Sequence, residues 1–106
     1  MKKISILIVL VFCLYTQAQT DSIHKEYYPG GKLKSEKPYS NGKENGVLKY
    51  YYESGKLEKE EPYTNGKENG VLKYYYESGT LQGETPYTNG EEGKTQRYDE
   101  NGKLVK

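Results

Sequence analysis

The chain has 106 residues, 33% of them hydrophobic, and a net charge of +1. This length allows one compact domain or one short repeat array. The near-neutral charge indicates neither nucleic-acid binding nor a strong preference for anionic membranes. The only cysteine, phenylalanine and methionine lie before Gln19. Without that segment the chain has no disulfide, no thiol chemistry and no cysteine-ligated metal.

The N-terminal segment has the pattern of a secretory signal peptide. Lys2 and Lys3 precede an apolar run over residues 4–15, and small residues follow near Ala18. The run is too short to cross a bilayer as a mature helix. We therefore predict a signal peptide over residues 1–18, which would be the chain's only contact with a membrane, and a secreted, periplasmic or cell-envelope location. An uncleaved N-terminal anchor is the alternative.

After a predicted short linker over residues 19–25, the sequence repeats a unit of about 24 residues through residues 26–106. The segment PYSNGKENGVLKYYYESG, which begins at Pro38, recurs from Pro62 with one change. Asn-Gly and Glu-Ser-Gly are typical of turns, and the runs between them suit strands. About three and a half repeats therefore predict an all-β fold, an elongated antiparallel meander of repeated β-hairpins with about seven strands.

One tyrosine and one leucine are present in every copy of the repeat. A two-residue turn would place Tyr52 opposite Leu57, whereas a type I turn closed by a glycine bulge would place Tyr51 there. The second is favoured because Asp99 replaces Tyr52 in the last copy. We predict a structural ladder of four cross-strand pairs. The pairs are Tyr27 with Leu33, Tyr51 with Leu57, Tyr75 with Leu81, and Tyr98 with Leu104.

Three prolines, Pro38, Pro62 and Pro86, each precede a tyrosine inside the predicted strands. Proline cannot donate a hydrogen bond to a central ladder. We therefore predict a bulge, or a strand that ends before the Pro-Tyr pair, with weakened pairing just before each Asn-Gly turn.

The outer tyrosines of the two triplets are the candidates for binding. Alternation along a strand places Tyr51 and Tyr75 on one face and their neighbours on the other. Large rigid rings suit the binding of a protein or of a carbohydrate. Alternatively, these rings close a second thin core on a curled sheet. The predicted binding strip, which accompanies Leu48 and Leu72, consists of Tyr50, Tyr52, Tyr74 and Tyr76.

The residue inventory does not support catalysis. His24 is the only histidine and lies outside the predicted repeats, so neither a Ser-His-Asp set nor a metal-ligand cluster can be built. Glutamates interleaved with lysine, such as Glu60 and Glu61, are more typical of a solubilising surface than of a glycosidase pair. We predict no catalytic residue, no metal site, no cofactor and no enzyme activity.

The motif G-x-L-x-x-Y-x-x-x-G-x-L, joined to PY-x-N-G-K-x-x-G, resembles the bacterial variant of the MORN repeat over residues 26–106. The resemblance implies hairpins stacked into an elongated, single-layer twisted sheet without catalytic residues. It also implies protein–protein contacts, dimerisation or phospholipid binding. Chains of this kind are often labelled YwqK-family antitoxins of toxin–antitoxin systems. Leu48, Leu72 and Thr95 stand where the family often has Trp or Phe.

We therefore expect an exported, non-enzymatic repeat module that binds a protein or its own copy. Residues 25–50 carry six lysines and three glutamates, whereas residues 75–98 carry two basic and four acidic residues. This gradient favours head-to-tail self-association. The alternative is an envelope- or carbohydrate-binding module that uses the tyrosine strip. An antitoxin is less expected, because a secreted antidote cannot reach a cytoplasmic toxin.

Overall fold

A computed structural model describes residues 20–106, which contain no helix. They form one open antiparallel sheet of eleven strands, which confirms the predicted all-β meander. The predicted signal peptide over residues 1–18 lies outside the described residues. The strands are β1 (Asp21–Tyr27), β2 (Leu33–Ser40), β3 (Lys43–Glu44), β4 (Gly46–Tyr51), β5 (Leu57–Thr64), β6 (Lys67–Glu68), β7 (Gly70–Tyr75), β8 (Leu81–Thr88), β9 (Glu91–Glu92), β10 (Gln96–Tyr98) and β11 (Leu104–Val105).

Eight strands cross the sheet in the order β1-β2-β4-β5-β7-β8-β10-β11, while β3, β6 and β9 pair with β2, β5 and β8. The sheet therefore has more strands than the seven predicted. The additional short strands form because the chain pairs with itself once more after each Asn-Gly turn. The sheet also begins at Asp21, inside the segment predicted as a linker, because β1 finds partners along the whole of β2.

Each Glu-Ser-Gly segment forms the tight turn that the sequence predicts. The Gly55 N–H donates to the Tyr52 carbonyl over 2.9 Å, and Gly55 has a φ of 93°, which glycine tolerates best. The register shifts between Tyr50 and Tyr51, so Tyr51 lies opposite Leu57. The same register pairs Tyr27 with Leu33, Tyr75 with Leu81, and Tyr98 with Leu104.

Each Asn-Gly turn joins a long strand to a short one and is also bonded to the preceding repeat. Asn65 and Gly66 both have positive φ, 48° and 84°, as a type I′ turn requires. The Gly66 N–H donates to the Glu44 carbonyl over 2.8 Å. The Asn65 N–H donates to the side chain of Asn45 over 3.1 Å. Successive repeats are therefore joined by their turns as well as by their strands.

The strands do not end before the Pro-Tyr pairs, so that expectation was wrong. Strand β5 runs through Pro62, which lies opposite Val47 of β4. The Pro62 carbonyl accepts a hydrogen bond from the Asn69 N–H over 3.0 Å on the other edge. The proline nitrogen points to that same edge, because the nitrogen and oxygen of one strand residue share an edge. On that edge β5 pairs with β7 up to Glu60 and with β6 from Tyr63 onwards. Pro62, which has no N–H to donate, therefore lies in the gap between the two pairings, where weakened pairing was expected.

A glycine packs directly against each of these prolines. A Cβ on Gly70, which has a φ of 125°, would lie 2.9 Å from the Pro62 Cγ. The equivalent distances are 2.9 Å between Gly46 and Pro38 and 2.8 Å between Gly93 and Pro86. Gly46 and Gly70 are therefore required both by their positive φ and by the proline ring, whereas Gly93, which has no positive φ, is required by the Pro86 ring alone.

Replacing Gly70 by alanine is expected to lower the free energy of unfolding by about 2 kcal/mol, because a side chain at this φ is strained and would contact Pro62. Urea denaturation followed by circular dichroism measures the change. Gly30→Ala is the control, since Gly30 has no neighbour within 4 Å and no positive φ, and we expect a change below about 0.5 kcal/mol. Equal losses in the two variants would contradict this account.

Candidate functional site

One face of the sheet carries a row of alternating charges, and we call it the charge-ladder face. Residues that pair across an antiparallel sheet lie on the same face, and opposite charges in such pairs are favourable. The register places one lysine and one glutamate of each repeat in this row, and Gln96 ends it. In order across the sheet the row is Lys25, Glu36, Lys49, Glu60, Lys73, Glu84 and Gln96.

The ladder tyrosines bond to the glutamates of the charge-ladder face. The Tyr75 hydroxyl donates to Glu60 over 2.7 Å. Burial raises the pKa of Tyr75 to about 12, and the bond to Glu60 adds to the effect. The equivalent bonds run from Tyr51 to Glu36 over 3.1 Å and from Tyr98 to Glu84 over 2.8 Å. The three glutamates of this face therefore accept hydrogen bonds from within the sheet.

A second set of tyrosines ties each turn to the following repeat. The Tyr52 hydroxyl donates to the Tyr75 carbonyl over 2.5 Å, and the Tyr76 hydroxyl donates to the Tyr98 carbonyl over 2.8 Å. Tyr28 makes the same contact with Tyr51 over 2.5 Å. Tyr52 and Tyr76 belong to the predicted binding strip, and the structure places their hydroxyls between repeats. The role of Tyr28 was missed, although it occupies the same position of the repeat.

The opposite face carries the other members of the predicted strip, and we call it the tyrosine face. Tyr50 lies here opposite Lys59, and Tyr74 lies on the other side of the same lysine. Leu48 and Leu72, only 2% and 7% exposed, are the buried hydrophobic residues within residues 20–106. These leucines form the thin core of this face. The face is made of Tyr39, Tyr50, Tyr63, Tyr74, Tyr87, Leu48 and Leu72, with the charged residues between them.

Lysine side chains lie over the tyrosine rings in the first two repeats. The Lys59 ammonium is 4.2 Å from the Tyr50 ring centroid and 5.7 Å from that of Tyr74. It also lies 3.5 Å from a Glu61 carboxylate oxygen. Lys37 lies 5.6 Å from the same Tyr50 centroid. These cation–π and ionic contacts cover Tyr50, which is half-buried, whereas Tyr74 is 42% exposed.

An acidic row runs along the tyrosine face beside the Asn-Gly turns. Glu68 lies opposite Tyr63, as Glu44 lies opposite Tyr39 and Glu92 opposite Tyr87. Burial raises the pKa of the Glu68 carboxyl, and the neighbouring Glu61 carboxylate raises it further. Glu68 is thus partly desolvated and close to like charge, which suits it to donors and cations of a partner more than to a catalytic acid–base pair.

Other classes of site are not built by residues 20–106. Within this range no group of three or more His, Cys, Asp or Glu side chains could hold a metal ion. No helix of the same range is long and apolar enough to span a membrane. His24 lies exposed in β1, opposite Lys37. The surface features that distinguish the chain are therefore the two faces of the sheet.

An open sheet of stacked hairpins is the fold of a non-globular β-repeat protein. The comparison with protein families agrees. Residues 21–41, 44–65, 68–89 and 91–106 match the family described as MORN repeat variant. The chain belongs to this family. No curated protein and no solved structure was found to match it. The family description does not mention a toxin, so the antitoxin interpretation gains no support from it.

Replacing Tyr52 by phenylalanine is expected to lower the free energy of unfolding by about 1 kcal/mol, because the bond to the Tyr75 carbonyl is lost while the ring remains. Urea denaturation measures the change. Tyr74→Phe is the control, since the Tyr74 hydroxyl has no hydrogen-bond partner within residues 20–106. Removal of the Tyr74 hydroxyl should lower the free energy of unfolding by less than about 0.5 kcal/mol. A smaller effect at Tyr52 than at Tyr74 would refute the inter-repeat tie.

Replacing Glu68 by glutamine should stabilise the fold at pH 7. The folded pKa of Glu68 is raised above its unfolded value, so its contribution to stability is present at low pH and is lost as the pH rises through the folded pKa. We expect a gain of roughly 0.3 kcal/mol at pH 7 and almost none at pH 4, measured by urea denaturation at both values. Glu92→Gln is the matched control. Glu92 occupies the same repeat position as Glu68, but its neighbour at the position of Glu61 is Thr85, which carries no charge. A gain that does not depend on pH would exclude this explanation.

Proposed function

We propose that the chain is an exported, non-enzymatic repeat module that binds a protein through its tyrosine face. The observation that carries this proposal is the difference between the two faces when the repeats are compared with one another. Each repeat solves the same folding problem, so residues needed for folding should recur. Residues that change from copy to copy are available for recognition.

The row of lysines and glutamates on the charge-ladder face recurs in the three complete repeats, whereas some positions of the tyrosine face vary. In this row, lysine recurs at residues 25, 49 and 73, and glutamate recurs at residues 36, 60 and 84. On the tyrosine face, the equivalent positions of the first, second and third repeats hold different chemistry. The first set is Ser35, Lys59 and Gly83, and the second set is Lys37, Glu61 and Thr85.

The chemistry of the tyrosine face supports a protein partner. Tyrosine is enriched in protein interfaces because its rigid ring gives a large contact area at a low entropy cost. Lys37 and Lys59 form ion pairs with glutamates over 3.4 and 3.5 Å, and such pairs can exchange partners with a charged surface. Membership of a repeat family whose members often mediate binding agrees with this proposal.

A capture experiment with the full-length chain tests this function. The chain is immobilised, incubated with envelope and secreted fractions, and the retained proteins are identified by mass spectrometry. The affinity of a retained protein is then measured by calorimetry. Tyr50→Ala should weaken binding at least tenfold, because truncation of a central interface tyrosine costs roughly 1.4 kcal/mol or more.

The matched control is Lys49→Ala, which changes the neighbouring residue on the charge-ladder face and should leave affinity within twofold. Circular dichroism of both variants shows whether the sheet is retained. Light scattering of the chain alone distinguishes a second copy from a different partner. The proposal fails if no protein is retained, or if Lys49→Ala weakens binding as much as Tyr50→Ala.

A further inference from the structure

A cleft of about 420 Å³ opens on the tyrosine face where the third hairpin meets β10. This volume lies within the roughly 300–1,000 Å³ typical of small-molecule sites. Leu72 lies among the lining residues and is 7% exposed. The side chains that the argument uses are those of Tyr74, Tyr87, Thr85, Thr95, Glu92 and Arg97.

The cleft exists because the third repeat lacks an ion pair that the second repeat has. Lys59 and Glu61 form this pair beside Tyr50 and Leu48. Gly83 and Thr85 occupy the equivalent positions opposite Tyr74 and Leu72. Two long charged side chains are thus replaced by a hydrogen atom and a short hydroxyl group. As a result Tyr74 has no cation over it from its own hairpin; Lys59 of the preceding hairpin lies 5.7 Å from the ring centroid, and 42% of the residue is exposed.

The polar groups around the cleft include both donors and acceptors. The Thr85 and Thr95 hydroxyls lie 2.8 Å apart, so each can also bond to a ligand. Arg97 offers only donors and Glu92, when ionised, only acceptors. An anionic ligand would meet Glu92 and a cationic ligand would meet Arg97. A neutral ligand with many hydroxyls, each able to donate and accept, fits the mixed set best.

We propose that this cleft binds one pyranose unit of a saccharide, with the apolar side of the sugar ring on Tyr74. Arg97, Glu92 and the threonine pair bond its hydroxyls. The C–H groups of a pyranose provide the apolar surface that an exposed tyrosine ring can cover. This site goes beyond the proposed protein binding, because it uses residues of the third repeat and leaves Tyr50 free.

The repeat itself supplies the variant that tests the site. Gly83→Lys restores the side chain that the second repeat carries, and it should close the cleft from within. Gly83 does not have a positive φ, and a Cβ there would lie 3.4 Å from the nearest atom, the Gln96 carbonyl oxygen. The sheet should therefore be retained, which circular dichroism checks. Tyr74→Ala is the second variant and removes the stacking surface.

Saturation-transfer NMR on the full-length chain measures binding of glucose, galactose, N-acetylglucosamine, cellobiose, maltose and N,N′-diacetylchitobiose. We expect transfer to at least one of these sugars at millimolar concentration. Binding should be at least tenfold weaker in Gly83→Lys and in Tyr74→Ala, and unchanged in Lys73→Ala on the charge-ladder face. Absence of transfer to all of these sugars, or undiminished transfer in a folded Gly83→Lys, would overturn the proposal.

The two proposals fail separately. Tyr50→Ala should reduce protein binding and keep sugar binding, because Tyr50 is not among the residues that line the cleft. Gly83→Lys should keep protein binding that depends on Tyr50 and lose sugar binding. A variant pair that loses both activities together would show that the cleft and the protein-binding surface are one site.

Discussion

The hydrogen bonds that leave one hairpin and end on the next hold this structure together. Tyr52 donates to the carbonyl of Tyr75, and Tyr75 in turn donates its hydroxyl to Glu60 of the preceding hairpin. A single hairpin has few apolar side chains to bury, and only two leucines within residues 20–106 are buried hydrophobics. Isolated hairpins are marginal in water, so each repeat depends on its neighbours. The ends show the same rule, since Tyr27 and Leu104 are 58% and 47% exposed.

This dependence assigns different tasks to the two faces. The charge-ladder face and the turns carry the contacts that every repeat must make, so their residues recur. The tyrosine face has a thin core around Leu48 and Leu72. The residues above that core can change without loss of the contacts on the charge-ladder face. Replacement of the Lys59–Glu61 pair by Gly83 and Thr85 is such a change. A scaffold of identical units thereby presents a surface that is not identical along its length.

Local chemistry made much of the fold predictable from the sequence. Turn residues and copy-to-copy comparison were sufficient to place Tyr51 opposite Leu57, because a turn and its bulge involve only adjacent residues. The continuation of β5 through Pro62 was not predictable. It depends on a gap between β6 and β7, which come later in the chain and pair with β5 on either side of Pro62. The tie made by Tyr52 was missed for a similar reason: its acceptor lies 23 residues away. The cleft beside Gly83 required knowing which side chains face Tyr74 from both neighbouring strands.

The alternating charges also determine how such a chain can change in length. Each complete repeat contributes one lysine, such as Lys49, and one glutamate, such as Glu60, to the row across the sheet. Duplication or deletion of a whole repeat keeps every lysine beside a glutamate, whereas loss of a single strand places like charges together. The array can thus be lengthened or shortened in evolution without redesign of its inter-strand electrostatics.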